Sequence, residues 1–230
     1  MADPMENTPF PESITRAIEW IMNWRRRRRA RRRLRLDARV REGAIKSVLD
    51  LMQKRGAMER VLRPTCNICL YLLLIDQDLS ELMTDAVCAI GPQRRKYVAR
   101  QLAVLLWEAS DDLSQLLSRD YRRSLAEFDL SSEWMDEFNG CVSRLGAFKR
   151  ANHQLLFDIR NMVAAHREKD AITQHKMMQG IDALEIIRLG PDYQAAINPL
   201  VPLMIELVAN PNVMRIAGND YLKSMRSDDN

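Results

Sequence analysis

The sequence contains few glycines, prolines, cysteines or aromatic residues. Its 230 residues include 8 glycines, 9 prolines and 4 cysteines, and 6% of them are aromatic. Runs of valine, isoleucine, threonine and tyrosine at period two are also missing, so strands have little support. Leucine, methionine, alanine, arginine and glutamate dominate instead, and this composition favours helices. We therefore predict an all-α soluble protein of one or two domains.

The sequence also lacks a long apolar run and a recognisable secretion signal. Its longest apolar stretch, residues 68–75, is far shorter than the roughly 20 residues of a membrane-spanning helix. The basic residues follow the first apolar stretch rather than precede it, which is not typical of a signal peptide. Four unevenly spaced cysteines do not form a disulfide framework, and Cys66-Asn-Ile-Cys69 has no second half to complete a zinc site. We therefore predict two buried thiols, no cofactor or metal, and a cytoplasmic protein that is peripheral at a membrane if it contacts one.

One segment is almost free of negative charge. Between Arg25 and Arg41 there are eleven arginines and one acidic residue, Asp37, so this segment has a net charge of +10. The whole chain has a net charge of +4, so the rest of the chain carries −6. Three interpretations remain open: a nucleic-acid-binding arm, a contact with an anionic membrane surface, and a solvated arm without a fixed partner. The candidate nucleic-acid-binding residues are Arg25, Arg26, Arg27, Arg28, Arg29, Arg31, Arg32 and Arg33.

The order of patterns along the chain predicts five regions. They are a flexible tail (1–12), an amphipathic arginine-rich helix (13–41), an N-terminal helical region (42–90), the main helical bundle (91–223) and a polar tail (224–230). Gly91-Pro92 is expected to break the chain between two helices, and Gly190-Pro191 is expected to close a later one. Ser132 is expected to cap the helix that follows it.

The strongest helical pattern runs from Ser143 to Lys169. Its apolar residues recur at helical spacing without an intervening proline: Leu145, Phe148, Leu155, Leu156, Ile159, Met162 and Val163. Arg160, Asn161 and His166 lie on or beside this stripe, where a cation and an imidazole need a partner or a function. Asn152, on the same stripe, is expected to form a buried hydrogen bond or to set the register of a dimer.

The order Arg160-Asn161, four residues, then His166 resembles the signature of the HEPN superfamily. Its members are all-helical domains, and its ribonucleases carry an arginine, a polar residue and, after a gap, a histidine on a late helix. The stretches FDIRN (157–161) and AAHR (164–167) also resemble HEPN proteins from bacterial abortive-infection systems. The resemblance covers about residues 98–189. It implies a HEPN-like helical bundle that forms a homodimer, with Arg160 and His166 of both chains in one cleft.

The activity implied by the resemblance is that of a metal-independent endoribonuclease, a toxin or antiviral effector that is restrained by an antitoxin-like partner protein. Its substrate would be RNA, whose 2′-hydroxyl is an internal nucleophile. His166 would transfer a proton, Arg160 would bind phosphate oxygens, and Asn161 would support them. Six helical positions place His166 about 120° around and about 9 Å along the helix from Arg160. Two alternatives remain: structural pairing of Arg160 and His166, and a non-catalytic helical dimer that binds nucleic acid or anionic membrane through its arginines.

Overall fold

Helices account for all the regular structure in the part of the chain that the structure describes, and the predicted all-α class is confirmed. The computed structural model describes residues 12–54, 62–89, 91–126, 128–164, 176, 179–210 and 213. The helices are α1 (Glu12–Lys54), α2 (Leu62–Cys88), α3 (Pro92–Leu116), α4 (Arg119–Leu125), α5 (Ser132–Ala164), α6 (Ala183–Ile197) and α7 (Leu200–Ala209). Apart from residue 12, the two predicted tails lie outside these ranges.

The first helix, α1, includes both the arginine-rich segment and residues that the pattern placed in a second region. The predicted boundary at residue 41 falls inside it, and the helix continues to Lys54. Arginine and leucine are good helix formers, and Gly43 alone does not end a helix. Among the described residues α1 packs chiefly on α2, so the arginine-rich segment is rigidly continuous with a helix that contacts the bundle.

The core lies where α2, α3, α5, α6 and α7 meet. Its fully buried side chains include Leu72 of α2, Leu106 of α3, Leu145 of α5 and Tyr193 of α6. The residues of α2 therefore belong to the same hydrophobic core as the helices after residue 91. Gly91 separates α2 from α3 as predicted; its φ of 78° is one that glycine adopts without strain.

The prediction that Gly190-Pro191 closes a helix is wrong, because both residues lie inside α6. Gly190 is buried, and a Cβ atom at this position would stand 2.5 Å from Sδ of Met83 on α2. The glycine therefore allows α6 to approach α2 closely. Pro191 is exposed on the same helix, so packing by α6 as a whole overrides the local tendency of proline to end it.

The predicted cap of α5 is displaced by one residue. The hydroxyl of Ser131, rather than that of Ser132, accepts a hydrogen bond from the backbone N–H of Trp134 at 3.2 Å. Ser131 therefore satisfies one of the amides that a helix leaves free at its start. The helix then runs to Ala164 and includes most of the stretch in which the sequence predicted a long amphipathic helix.

Candidate nucleic-acid interface

The described part of α1 has a packing face and an opposite, arginine-rich face. Its less exposed side chains fall within about 100° of arc at 100° per residue: Arg27, Ala30, Leu34, Arg41, Ala44, Ile45, Val48 and Met52. The opposite arc, about 120° wide, carries exposed arginines that we call the outer arginine face: Arg25, Arg28, Arg29, Arg32, Arg35 and Arg39. The structure thus turns six guanidinium groups away from the packing side of the helix.

The eight arginines that the sequence predicted to bind nucleic acid are not equivalent. Four of them belong to the outer arginine face, while Arg31 and Arg33 are exposed at its edges and Arg27 is half-buried on the packing face. The side chain of Arg26 lies outside the described residues. The space among these side chains is lined by α1 alone, from Trp24 to Arg39. The closely spaced cations repel one another and favour an anionic partner.

Arg41, at the end of the basic tract, anchors α1 to the bundle. Its side chain is only 10% exposed; Nε donates to Oδ2 of Asp76 at 2.5 Å, and an Nη donates to the hydroxyl of Ser80 at 2.6 Å. Gln194 of α6 donates to the second carboxylate oxygen of Asp76 at 3.0 Å. These contacts join α1, α2 and α6.

Replacing Asp76 by alanine is expected to lower the free energy of unfolding by about 2–3 kcal/mol. The change leaves the guanidinium of Arg41 buried without its carboxylate, and the cost is below that of a fully buried pair because Asp76 is 22% exposed. Urea unfolding followed by circular dichroism measures the loss. As a control, Asp37→Ala removes the exposed Arg33–Asp37 pair (4.0 Å) and should cost less than about 1 kcal/mol. Equal midpoints for the two variants would show that Arg41 is not an anchor.

The predicted catalytic residues are only partly described. Arg160 is exposed and Asn161 is half-buried near the end of α5, whereas His166 lies outside the described residues. Among the described residues, no ion pair joins Arg160 to a carboxylate. Asn152 is half-buried rather than buried; its side-chain amide donates to the carbonyl of Phe148, one turn earlier on α5, at 2.9 Å, so it forms a hydrogen bond without the predicted burial. Its role in the register of a dimer stays a prediction.

Three rings form a cluster on the same helix as Arg160, and the sequence analysis missed it. Trp107 of α3 lies 4.8 Å from His153 and 5.4 Å from Phe157 between ring centroids. His153 and Phe157, one helical turn apart on α5, are nearly parallel at 5.9 Å and 13°. His153 and Phe157 are exposed and Trp107 is half-buried. The available signal was the pair of rings at i and i+4 outside the apolar stripe of α5.

The contacts between α3 and α5 place this cluster beside further cations. Lys149 of α5 donates to Asp111 of α3 at 2.8 Å, and this hydrogen bond lowers the pKa of the Asp111 carboxyl. One turn further along α5, His153 contacts Trp107, which lies one turn earlier on α3 than Asp111, so the two helices run antiparallel. In this register Arg100 of α3 is level with Arg160 of α5. Arg160 therefore stands at one end of the ring cluster, whereas the half-buried Arg100 lies over the ring of Tyr97, 5.8 Å from its centroid.

The cysteines Cys66 and Cys69 are buried in α2, as predicted. Burial, followed by the neighbouring Cys66, raises the pKa of the Cys69 thiol to about 12. Because the thiolate is the reactive form, the folded protein should resist iodoacetamide at pH 8 at both positions. In the part of the chain that the structure describes, no group of three or more histidine, cysteine, aspartate or glutamate side chains is arranged to hold a metal.

We expect peptide mapping by mass spectrometry to find Cys66 and Cys69 unmodified in the folded protein and modified after unfolding in urea. The half-buried Cys88 is the internal comparison, because it has partial access to solvent. Rapid modification of Cys69 in the folded state would contradict a buried, protonated thiol.

These features define an all-α protein with an arginine-bearing helix and a ring cluster on its bundle. No helix of the described residues is long and apolar enough to span a membrane. Comparisons with protein-family models, curated proteins and solved structures find no match to this chain.

Proposed function

We propose that this protein binds single-stranded RNA through the outer arginine face and cleaves it, without a metal, near the end of α5. The observation that carries the proposal is the exposure of six arginines on one face of α1, opposite the face that packs. Arginine forks onto phosphate oxygens, and the counterions released from a nucleic acid then favour binding. The net charge of −6 on the rest of the chain would otherwise repel RNA.

An anionic membrane surface is less well supported as the partner of α1. Membrane-surface helices gather their apolar side chains on one face. The exposed apolar side chains described on α1 are Trp24, Leu36, Val40 and Leu49. Leu36 and Val40 are one turn apart, but Trp24 and Leu49 lie about 160° and 180° around the helix axis from Val40. These four side chains therefore form two separate pairs rather than one apolar face, whereas a polyanion needs only the cations.

The proposed chemistry uses Arg160, Asn161 and His166 in the roles that the HEPN resemblance implies. The 2′-oxygen attacks the adjacent phosphorus and the bond to the 5′-oxygen breaks, which leaves a 2′,3′-cyclic phosphate and a 5′-hydroxyl. His166 transfers a proton, Arg160 stabilises the negative charge on the phosphate oxygens, and Asn161 orients the phosphate or the imidazole. Arg160 is exposed and therefore accessible to a phosphate.

The proposal includes a homodimer and a restraining partner, both in line with the HEPN resemblance. In a homodimer the α5 helices of two chains would meet, and Arg160 and His166 of each would share one cleft. An antitoxin-like protein would then inhibit by covering this cleft. Light scattering coupled to size-exclusion chromatography measures the mass of the particle, and a monomer at every concentration would remove the shared cleft from the proposal.

Incubation of the purified protein with total RNA in EDTA tests the proposed reaction. Cleavage that persists in EDTA and leaves 2′,3′-cyclic phosphate ends supports a metal-independent ribonuclease. If the folded protein binds RNA but leaves it intact, with no other protein co-purified, the non-catalytic binding protein is the better description. If it neither binds nor cleaves, both parts of the proposal fail.

A further inference from the structure

We infer that Trp107, His153 and Phe157, here called the ring platform, stack on an unpaired nucleobase of single-stranded RNA. This inference rests on the proposed RNA binding and assigns it a second contact, remote in sequence from α1. Proteins that hold single strands combine cations along the backbone with aromatic surfaces on which bases stack. The structure contains both elements on the α3–α5 side of the bundle.

The exposure and geometry of the rings favour a base as the ligand. Phe157 is 39% exposed although its neighbours Leu156 and Ile159 are buried, so the ring stands at the surface. It is stacked on His153, with 5.9 Å between ring centroids and 13° between the ring planes. Trp107 packs against both rings and so limits their rotation. A preorganised pair of stacked rings loses little entropy when a planar base extends the stack.

One cation beside the platform suits a nucleic acid. Arg160 is exposed one turn beyond Phe157. A strand whose base stacks on the platform would thus place a neighbouring phosphate near this guanidinium group. Of the adjacent carboxylates, Asp111 is paired with Lys149 and Asp158 accepts a hydrogen bond from Gln154 at 2.9 Å, while Glu108 is exposed.

A second copy of the chain is a weaker candidate for the rings themselves, because the proposed dimer brings together the end of α5 from Arg160 onward. A stable interface between copies buries about 800 Å² on each partner and has an apolar centre. The exposed residues beside the rings along α3 and α5 are polar or charged: Glu108, Gln154, Asp158 and Arg160. The platform therefore lacks the broad apolar centre of such an interface.

Fluorescence anisotropy with two labelled strands separates stacking from phosphate binding. The probes are an oligothymidylate of about twelve nucleotides, within the range of single-strand binding sites, and an abasic strand of the same length and charge. Neither has a 2′-hydroxyl, so the proposed reaction cannot consume it. We expect the Phe157→Ala protein to bind the oligothymidylate about tenfold more weakly, the loss of one stacked base. Its affinity for the abasic strand should not change.

Matched variants keep this result interpretable. Phe157→Tyr keeps a ring and should retain wild-type affinity, while Leu184→Ala removes an equally exposed apolar side chain from α6 (52% exposed) and should have no effect. Trp107→Ala should repeat the loss seen with Phe157→Ala. Circular dichroism confirms that each variant is folded.

Three outcomes would overturn the inference, each in a distinguishable way. If wild type binds both strands equally and Phe157→Ala changes neither affinity, the platform is not a base site, although the proposed arginine contact stands. If wild type binds neither strand nor RNA, the proposed function fails and the platform fails with it. If Phe157→Ala changes only the mass of the particle in solution, the platform is an interface between copies of the chain.

Discussion

Total RNA incubated in EDTA with the His166→Ala or the Arg160→Ala protein is expected to be cut at least 100-fold more slowly than with wild type. Positioned general acid–base catalysis contributes roughly 10²–10⁴ in rate, and removing one group that stabilises a charged transition state costs about 10²–10³. Asn161→Ala should have a smaller effect, because a residue that orients a phosphate or an imidazole can be replaced in part by water. Gel analysis of the cut ends and of initial rates measures each loss.

The controls for this experiment come from the same region of the chain. Arg150→Ala removes another exposed arginine of α5, and His175→Ala removes a histidine that has no arginine at the signature spacing. Both should cleave like wild type, and every variant except Arg160→Ala, which also removes a proposed phosphate contact, should bind the oligothymidylate with an affinity near that of wild type. Initial rates are therefore compared at saturating RNA. If Arg150→Ala loses as much activity as Arg160→Ala, the effect is one of charge on α5, and Arg160 has no special role.

The sequence predicted those helices that are indicated by the spacing of their own apolar residues and by the residues at their ends. The apolar spacing in α2, α3 and α5 is dense enough to indicate them, and Gly91-Pro92 marks the turn before α3 because a positive φ there favours glycine. The reading of Gly190-Pro191 failed for the opposite reason. The helix continues through these residues because α6 packs into the core on both sides of them, through Ile186 and Tyr193, and such packing against residues far apart in the chain overrides the local rule for proline.

For the candidate sites too, features that depend on neighbouring residues in the chain were predicted, and features that depend on packing between helices were not. The exposure of the arginine-rich segment follows from its charge, but the division of α1 into two faces depends on how the helix packs. The sequence does not distinguish the buried Arg41 from the exposed arginines before it, because its partner Asp76 lies on another helix. The ring platform depends on the register of α3 against α5, which no spacing within one helix contains. Arg160 and Asn161 were found from local order alone, and their catalytic role stays a prediction.

Replacing four residues of the outer arginine face by glutamine is expected to weaken RNA binding several hundredfold at about 0.1 M salt; they are Arg25, Arg28, Arg29 and Arg32. Each phosphate contact to a single strand adds about −0.7 to the slope of log affinity against log salt, or roughly fivefold in affinity at this concentration. Four contacts therefore account for a slope change of about 3. Anisotropy titrations of a labelled RNA from low to moderate salt measure both quantities.

The matched control removes the same charge from exposed positions on α4 and α6, by glutamine replacements at Arg119, Arg122, Arg123 and Arg188. If net charge alone attracts RNA, the two fourfold variants lose affinity equally, because both lower the charge of the protein by four. If α1 is the contact, only the first variant loses affinity and slope. That variant should also cleave RNA more slowly at low RNA concentration yet regain its rate at saturation, since recruitment is impaired while the groups at the end of α5 are intact. Unchanged affinity in the first variant would leave the outer arginine face without a role in RNA binding.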